Sequence, residues 1–199
     1  MRVCISLILC LILTACSSKE SVLPVLSYQI DKQGNKIAYT INYDGFVNQF
    51  GESFSTKNIE GKVVVANFFF VRCPSICPPM RNSLIDFAKD FKNSKDFLII
   101  SHTIDPKNDS VSILYEYWKT TDIPALNWQF LYAPEIHVKR QASQYMTSFN
   151  QNEDATDFYH SSYVTLLDKK QQIRGFYNSL VNEDMKRLKD DVTFLLTKD

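Results

Sequence analysis

The stretch VVVANFFFVRCPSICPPM, residues 63–80, decides the fold of this chain. Its first nine residues are almost all β-branched or aromatic, which predicts a buried central strand. Cys73 and Cys77 follow, and two prolines come directly after them. Apolar residues then recur at every third or fourth position, as on a helix with one apolar face. Because proline is accepted in the first turn of a helix but not in its interior, we expect the helix to begin near Pro78.

The two cysteines are therefore predicted to lie in a loop or distorted turn at the N-terminus of this helix. Free backbone N–H groups and the helix dipole favour negative charge there and lower the pKa of a cysteine. The thiolate, and not the thiol, attacks disulfides and binds metals. We expect Cys73 and Cys77 to act as thiolates, in redox chemistry or in metal binding.

The composition limits the kind of protein this can be. A chain of 199 residues accommodates one ordinary domain with additional segments. The hydrophobic fraction of 45% is sufficient for a well-filled core. Basic and acidic residues number 22 each, so the formal net charge is zero and nothing indicates a nucleic-acid partner.

The N-terminus has the features of a processing signal. Arg2 precedes a short apolar run that is too short to span a bilayer. The run ends in Leu-Thr-Ala-Cys, which matches the cleavage box of bacterial lipoproteins and predicts a lipid on Cys16. An ordinary secretory peptide is the alternative. With the lipid, the protein is anchored to a membrane of the bacterial cell envelope and faces the periplasm or the extracytoplasmic side.

The chain accordingly divides into three predicted parts. Residues 1–15 are a signal peptide, residues 16–36 are the lipidated N-terminus and a flexible tether, and residues 37–199 are the folded domain. Only Cys73 and Cys77 then remain in the mature domain. A disulfide between residues so close in sequence would stabilise the fold little, so chemistry explains the pair better than stability does.

Strand and helix patterns alternate along the domain. This order predicts an α/β fold with parallel core strands, an antiparallel edge hairpin and helices on both faces, in its thioredoxin-like form. The predicted strands are 37–43, 63–71, 97–104, 128–132, 163–167 and 173–177, and the predicted helices are 79–91, 110–119, 135–146 and 182–196.

The cysteine spacing leaves several chemistries open. Three residues separate the cysteines, one more than in the Cys-x-x-Cys pair of thioredoxins. Two soft thiolates favour Cu(I), Zn(II) or another thiophilic metal. A structural zinc site needs four protein ligands, and the mature domain has no third cysteine. An inert disulfide remains as an alternative.

Three histidines are candidates to complete a metal site. His160 precedes a predicted strand whose leading loop passes close to the cysteine loop in a thioredoxin-like fold, although a loop histidine can also be merely solvated. His102, near the end of a core strand, is a packing residue or lies beside the site, and His137 belongs to a helix. Asp105 and Asp109 are simplest as turn and helix-cap residues, with a role in tuning the site as the alternative.

The motifs resemble the Sco/SenC family of copper-binding assembly factors, in which an apolar strand leads into Cys-Pro-x-x-Cys-Pro. Here the strand is followed by Cys73-Pro74-Ser75-Ile76-Cys77-Pro78. The resemblance extends from residue 45 to residue 196. It includes the segments Ser101-His102-Thr103-Ile104-Asp105-Pro106, His160-Ser161-Ser162-Tyr163 and Ile173-Arg174-Gly175-Phe176-Tyr177.

The resemblance implies a membrane-anchored copper chaperone that assists assembly of the CuA centre of cytochrome c oxidase. Copper, as Cu(I) or Cu(II), would be held by Cys73, Cys77 and His160 and passed to the copper subunit of the oxidase. Asp105 and His102 would lie next to the ligands. A Cys73–Cys77 disulfide would exclude the metal, and an external dithiol would have to reduce it.

Two functions of other classes stay open from the sequence. An envelope thiol–disulfide reductase that keeps target cysteines reduced would use the same cysteines without needing His160. A redox-signalling lipoprotein is the other. We expect a metallochaperone rather than an enzyme, with thiol–disulfide oxidoreductase activity as the alternative.

Overall fold

The computed structural model describes residues 23–153, 158–159 and 161–198. Within these ranges the chain forms eleven strands, four α-helices and a short 3-10 helix, Thr56–Asn58. The strands are β1 Tyr28–Ile30, β2 Lys36–Ala38, β3 Phe46–Val47, β4 Ser53–Phe54, β5 Val63–Phe69, β6 Phe97–Thr103, β7 Trp128–Leu131, β8 Asn150–Gln151, β9 Phe158–Tyr159, β10 Tyr163–Leu167 and β11 Ile173–Asn178. The helices are α1 Cys77–Asp90, α2 Val111–Lys119, α3 Glu135–Gln144 and α4 Asn182–Thr197.

A five-stranded sheet in the order β11-β10-β5-β6-β7 forms the centre of the protein. Strands β5, β6 and β7 are parallel, whereas β10 runs antiparallel to β5 and β11 antiparallel to β10. Every residue of β5 and β6 is buried, as expected for strands covered on both faces. The predicted fold class, a parallel core with an antiparallel edge hairpin, is confirmed.

Helices cover both faces of the sheet. Neighbouring residues of β5 point to opposite faces, so each face of this strand contacts a different helical region. Phe69 stacks on Tyr117 of α2, with ring centroids 5.3 Å apart. Phe68 packs on Tyr145, directly after α3, at 5.7 Å. The register pairs Phe69 with Thr103, so β5 and β6 end at the same edge of the sheet. The loops that follow these two strands therefore meet there.

The segment predicted as a flexible tether is, in its described part, folded onto the sheet. The Leu26 N–H donates to the Ile173 carbonyl at 2.7 Å, and the buried Ser27 hydroxyl accepts from the Ile173 N–H at 3.1 Å. The exposed hairpin β1–β2 follows, so the strand predicted over 37–43 is limited to β2. The physical reason is that β11 is an edge strand, whose unpaired backbone groups bind another segment whatever its side chains.

The predicted start of the helix after the cysteines is confirmed to within one residue. Helix α1 begins at Cys77, and the two prolines occupy its first turn. The buried side of α1 consists of Cys77, Met80, Leu84, Phe87 and Ala88. None of the helices in the described ranges is long and apolar enough to cross a membrane. The predicted signal peptide and Cys16 lie outside the described residues.

Candidate metal centre

The two cysteines lie together at the edge of the sheet where β5 ends. Cys73 is in the loop after β5 and Cys77 is the first residue of α1. Their side chains are present as thiols and not as a disulfide, and both are buried. The backbone N–H of Cys77 donates to the Sγ atom of Cys73 at 3.4 Å. The start of the helix therefore supplies a hydrogen bond to one of the two sulfurs.

The environment of Cys77 differs from the one predicted. Burial raises the pKa of the Cys77 thiol well above its ordinary range, and the backbone of Phe70 opposes that shift only in part. The prediction of a lowered pKa is thus wrong for Cys77, because the loss of hydration around a buried thiolate and the neighbouring Cys73 both favour the neutral thiol. At neutral pH Cys77 is a neutral thiol that loses its proton when a metal binds or a disulfide forms.

A charged pair braces the loop in front of Cys73. The Arg72 guanidinium donates to Asp105 Oδ2 at 2.8 Å, and Asn108 donates to both oxygens of the same carboxylate. Asp105 is buried at the end of β6, whereas the Arg72 side chain is 52% exposed. The pair joins the loop after β5 to the loop after β6. In the sequence, Arg72 is the one charged residue between the apolar run of β5 and Cys73, and this position is what could have indicated a role beside the cysteines.

Asp109 also braces the loop, in a way that the sequence did not predict. Its Oδ2 atom accepts from the Val71 N–H at 3.0 Å and from the Thr103 hydroxyl at 2.6 Å. Its Oδ1 atom is buried and has no hydrogen-bond partner among the described residues. Burial raises the pKa of Asp109, against the effect of these two bonds. The prediction that Asp109 caps α2 is wrong, since Ser110 is the capping residue.

His102 is buried in the core beside β5. Its Nδ1 atom lies 3.0 Å from the Asn67 carbonyl, which can only accept, so Nδ1 carries the proton. The Tyr43 hydroxyl then donates to Nε2 at 3.0 Å and accepts from the Tyr145 hydroxyl at 2.6 Å. Burial lowers the pKa of His102 to about 4, so the ring is neutral at physiological pH. These hydrogen bonds lead into the core and not to the cysteine loop.

Two residues of this region, Tyr43 and Tyr117, could not be predicted from the sequence. Tyr43 is 59 positions from His102, and no local pattern links them. Tyr117 of α2 lines a small cavity together with Cys77 and Arg81. Burial raises the pKa of Tyr117, and the nearby cysteines act in the same direction. Contacts of this kind arise only when separate elements pack together.

The predicted third ligand, His160, lies outside the described residues. Within the described ranges, no group of three or more histidine, cysteine and carboxylate side chains could hold a metal ion. His137 lies on α3, where its Nδ1 atom is 3.2 Å from the Asp44 carbonyl. Phe158 of β9 packs against Phe70, with ring centroids 5.1 Å apart.

Comparison with known families identifies the chain. The family model described as SCO1/SenC matches residues 32–195, which include both cysteines and the whole five-stranded sheet. The chain belongs to the SCO1/SenC family. This SCO1/SenC protein is 28% identical over 166 residues to the SCO1 protein homolog of Bacillus subtilis, covering 80% of this chain and 86% of that protein.

Solved structures agree with this assignment. The SCO1/SenC chain is similar to BsSco, a member of the Sco family of cytochrome c oxidase assembly proteins in which a disulfide switch was identified. The two structures have a TM-score of 0.71 and 24% sequence identity, and the match covers 89% of this chain and 99% of BsSco. It is also similar to Arabidopsis thaliana ScoI with copper bound, with a TM-score of 0.64, 26% identity and coverage of 79% and 96%. The resemblance noted in the sequence and the fold class are both confirmed.

Proposed function

We propose that this protein is a copper carrier that takes part in the assembly of cytochrome c oxidase. Copper is its cargo, held by the thiolates of Cys73 and Cys77 and by the imidazole of His160. The observation that carries the proposal is the pair of buried thiols at the start of α1, with a backbone N–H donating to one sulfur. Two thiolates and one imidazole form a ligand set that suits copper. The copper-bound Arabidopsis relative supports the same cargo.

The packing of β9 supports the choice of His160. Phe158 comes two residues before His160, and Phe70 comes three residues before Cys73. Their rings are in contact. Consecutive Cα atoms are only about 3.8 Å apart, so two or three residues span a short distance. Residues close in sequence to the histidine and to the first cysteine therefore already pack together.

The same cysteines support a second, redox state of the carrier. Oxidation of the two thiols forms one S–S bond and releases two protons and two electrons to an acceptor such as a partner's disulfide. The disulfide has no thiolate left to bind copper, so the metal-bound and oxidised forms exclude one another. An external dithiol returns the two electrons and restores the thiols. The disulfide switch described for BsSco supports this cycle.

We also propose that the carrier works at a membrane of the bacterial envelope, on its periplasmic or extracytoplasmic side. A lipid on Cys16 would hold it there, beside the copper subunit of the oxidase. The apolar run and the Leu-Thr-Ala-Cys box support the anchor. Replacement of Cys16 by serine tests it, because a high-salt wash is expected to release the unlipidated chain from the membrane fraction of the cells and to leave the lipidated wild type there.

Replacement of His160 by alanine tests the ligand set. We expect the Cu(I) affinity to fall by about a hundredfold or more. Loss of a residue that only hydrogen-bonds to a metal ligand already lowers metal affinity by up to about a hundredfold, and loss of the ligand itself should cost at least as much. Both thiols should still titrate. His137→Ala is the matched control, and its affinity should equal that of the wild type. Metal analysis and a competing Cu(I) chelator provide the measurement.

The result also separates the carrier from a thiol–disulfide reductase. A reductase needs only the two cysteines, so reduction of a substrate disulfide should survive in His160→Ala. If His160→Ala and His137→Ala bind copper equally well, the proposed ligand set is wrong. If His160→Ala supports oxidase assembly as well as the wild type, the proposed carrier function is wrong.

The raised pKa of Cys77 predicts that copper binding depends on pH. Because the thiol must lose a proton to bind the metal, the apparent Cu(I) affinity should rise by about tenfold per pH unit for this proton between about pH 6 and 8. Chelator competition across that range measures the slope. In Cys77→Ser, copper binding should release one proton fewer, so the logarithm of the affinity should rise by about one less per pH unit. An unchanged slope in that variant would contradict the prediction.

A further inference from the structure

The end of the sheet opposite the cysteines is rich in basic side chains. It is formed by the loops that lead into β5 and β6 and by the turn between β10 and β11. The Val63 N–H donates to the Asp96 carbonyl at 2.8 Å, and Leu167 pairs with Val64, so these loops lie side by side. We call this end the basic pole and define it by Lys62, Lys95, Lys169, Lys170, Arg174 and Lys198.

Acidic groups on the basic pole do not cancel its charge. The same loops carry Glu60, Asp96 and Asp168. Asp168 is buried and bonded to the Arg174 guanidinium at 2.8 Å, so these two charges balance each other. Glu60, Asp96 and Asp199, the residue after Lys198, leave three carboxylates against five lysines, four in the adjoining loops and one at the end of α4. Because the whole chain has a formal net charge of zero, this excess is a local property.

A cavity of about 280 Å³ opens on the basic pole. Phe194 and Leu195 of α4 contribute its apolar surface, and Lys170, Lys198 and Arg174 are among the basic residues around it. Lys169 also lines the cavity, and its ammonium donates to carbonyls at the end of α4. Cationic groups beside an apolar surface complement a phosphate joined to methylene groups, as in a phospholipid.

The chain reaches the basic pole from its N-terminal side. The carbonyl of Leu23, the first described residue, accepts from the Arg174 guanidinium. Residues 16–22 separate this point from the predicted lipid on Cys16. Fully extended, these residues span at most about 25 Å. A lipid anchor would therefore attach to the chain on the side of the basic pole and let this end of the sheet reach the bilayer surface.

We propose that the basic pole docks on the anionic phospholipid headgroups of the membrane that carries the anchor. This inference rests on the lipid anchor of the proposed function. The headgroup phosphates contact Lys95, Lys170 and Lys198, whose side chains are exposed. Attraction to anionic lipids is additive over basic residues near the surface and is weakened by salt. Docking turns the cysteine pair away from the bilayer, because the length of β5 separates the two ends.

Vesicle binding tests the docking surface without the anchor. Residues 16–199 with serine in place of Cys16 lack the lipid and contain every residue that the structure describes. We expect this chain to sediment with vesicles of phosphatidylcholine and phosphatidylglycerol, and not with phosphatidylcholine alone. Added salt should release it.

Charge reversal identifies the surface. The triple variant Lys95→Glu, Lys170→Glu and Lys198→Glu should partition at least about a hundredfold more weakly, since each basic residue contributes about fivefold. The control triple Lys107→Glu, Lys139→Glu and Lys186→Glu changes exposed lysines elsewhere by the same total charge and should bind like the wild type. Equal losses in both triples, or no preference for the anionic lipid, would overturn the proposal. Failure of the anchor shows separately, because a Cys16→Ser chain that stays in membranes after a high-salt wash is held by neither the lipid nor the basic pole.

Discussion

Replacement of Cys77 by serine is expected to lower the Cu(I) affinity by more than about a hundredfold. Serine keeps the size of the side chain and suits a helix N-terminus, but its hydroxyl is a hard ligand with little affinity for Cu(I). The loss should exceed that caused by removing a residue that only hydrogen-bonds to a metal ligand, which lowers metal affinity by about tenfold to a hundredfold. Chelator competition under reducing conditions measures the affinity.

Ser75→Ala is the matched control for this prediction. Ser75 lies between the two cysteines, and its hydroxyl is 3.9 Å from the Cys73 Sγ atom. Its loss should leave the affinity within a few-fold of the wild type, because the contact is long and the hydroxyl is not a proposed ligand. A similar loss in Ser75→Ala and Cys77→Ser would show that the loop conformation, and not the second sulfur, determines copper binding.

Acid is expected to destabilise the protein through His102, by about 3 kcal/mol between pH 6.5 and pH 4. Burial lowers the pKa of this histidine to about 4, whereas the unfolded chain has the ordinary value of 6.5. Between these values the unfolded state binds a proton that the folded state excludes. The stabilisation is therefore complete above pH 6.5 and is lost as the pH falls towards 4. Urea unfolding at a series of pH values measures it.

The variant His102→Gln should lose this part of the pH dependence, because glutamine does not titrate. Its amide can still donate to the Asn67 carbonyl and accept from Tyr43, which limits the cost at neutral pH. His137→Gln removes the other described histidine and should keep the wild-type decline. If wild type and His102→Gln lose stability equally from pH 6.5 to pH 4, the histidine is not buried in its neutral form.

Most of the fold could be predicted because its signals are local. The run after Lys62 is apolar at nearly every position and rich in β-branched and aromatic residues, as in a strand buried on both faces, and it forms β5. The prolines set the start of α1 because their rings are compatible with the first turn alone. Strand β10 is a short run buried at every position but the first, β11 alternates buried and half-buried residues with a period of two, and α4 repeats its buried residues with the helical period.

Parts of the candidate site could not be predicted, because they depend on contacts between distant segments. Asp109 has the composition of a turn or cap residue, yet its carboxylate bonds to Val71, 38 positions earlier. The segment before residue 37 is polar like a linker, but its backbone pairs with β11 more than 130 positions later. In both cases the partner is a backbone group of a distant segment, and the residues next to either partner in the sequence do not specify it.

The sequence by itself determined the class of fold, the loop that carries two thiols and the family to which the chain belongs, since these depend on residue order and short-range spacing. Only the tertiary structure decided the protonation of the buried groups. Cys77 lies at a helix N-terminus, which favours the thiolate, but the core around it excludes water and favours the thiol. His102 is neutral for the same reason. The hydration of an ionisable group is set by everything packed around it, and that packing exists only in the folded chain.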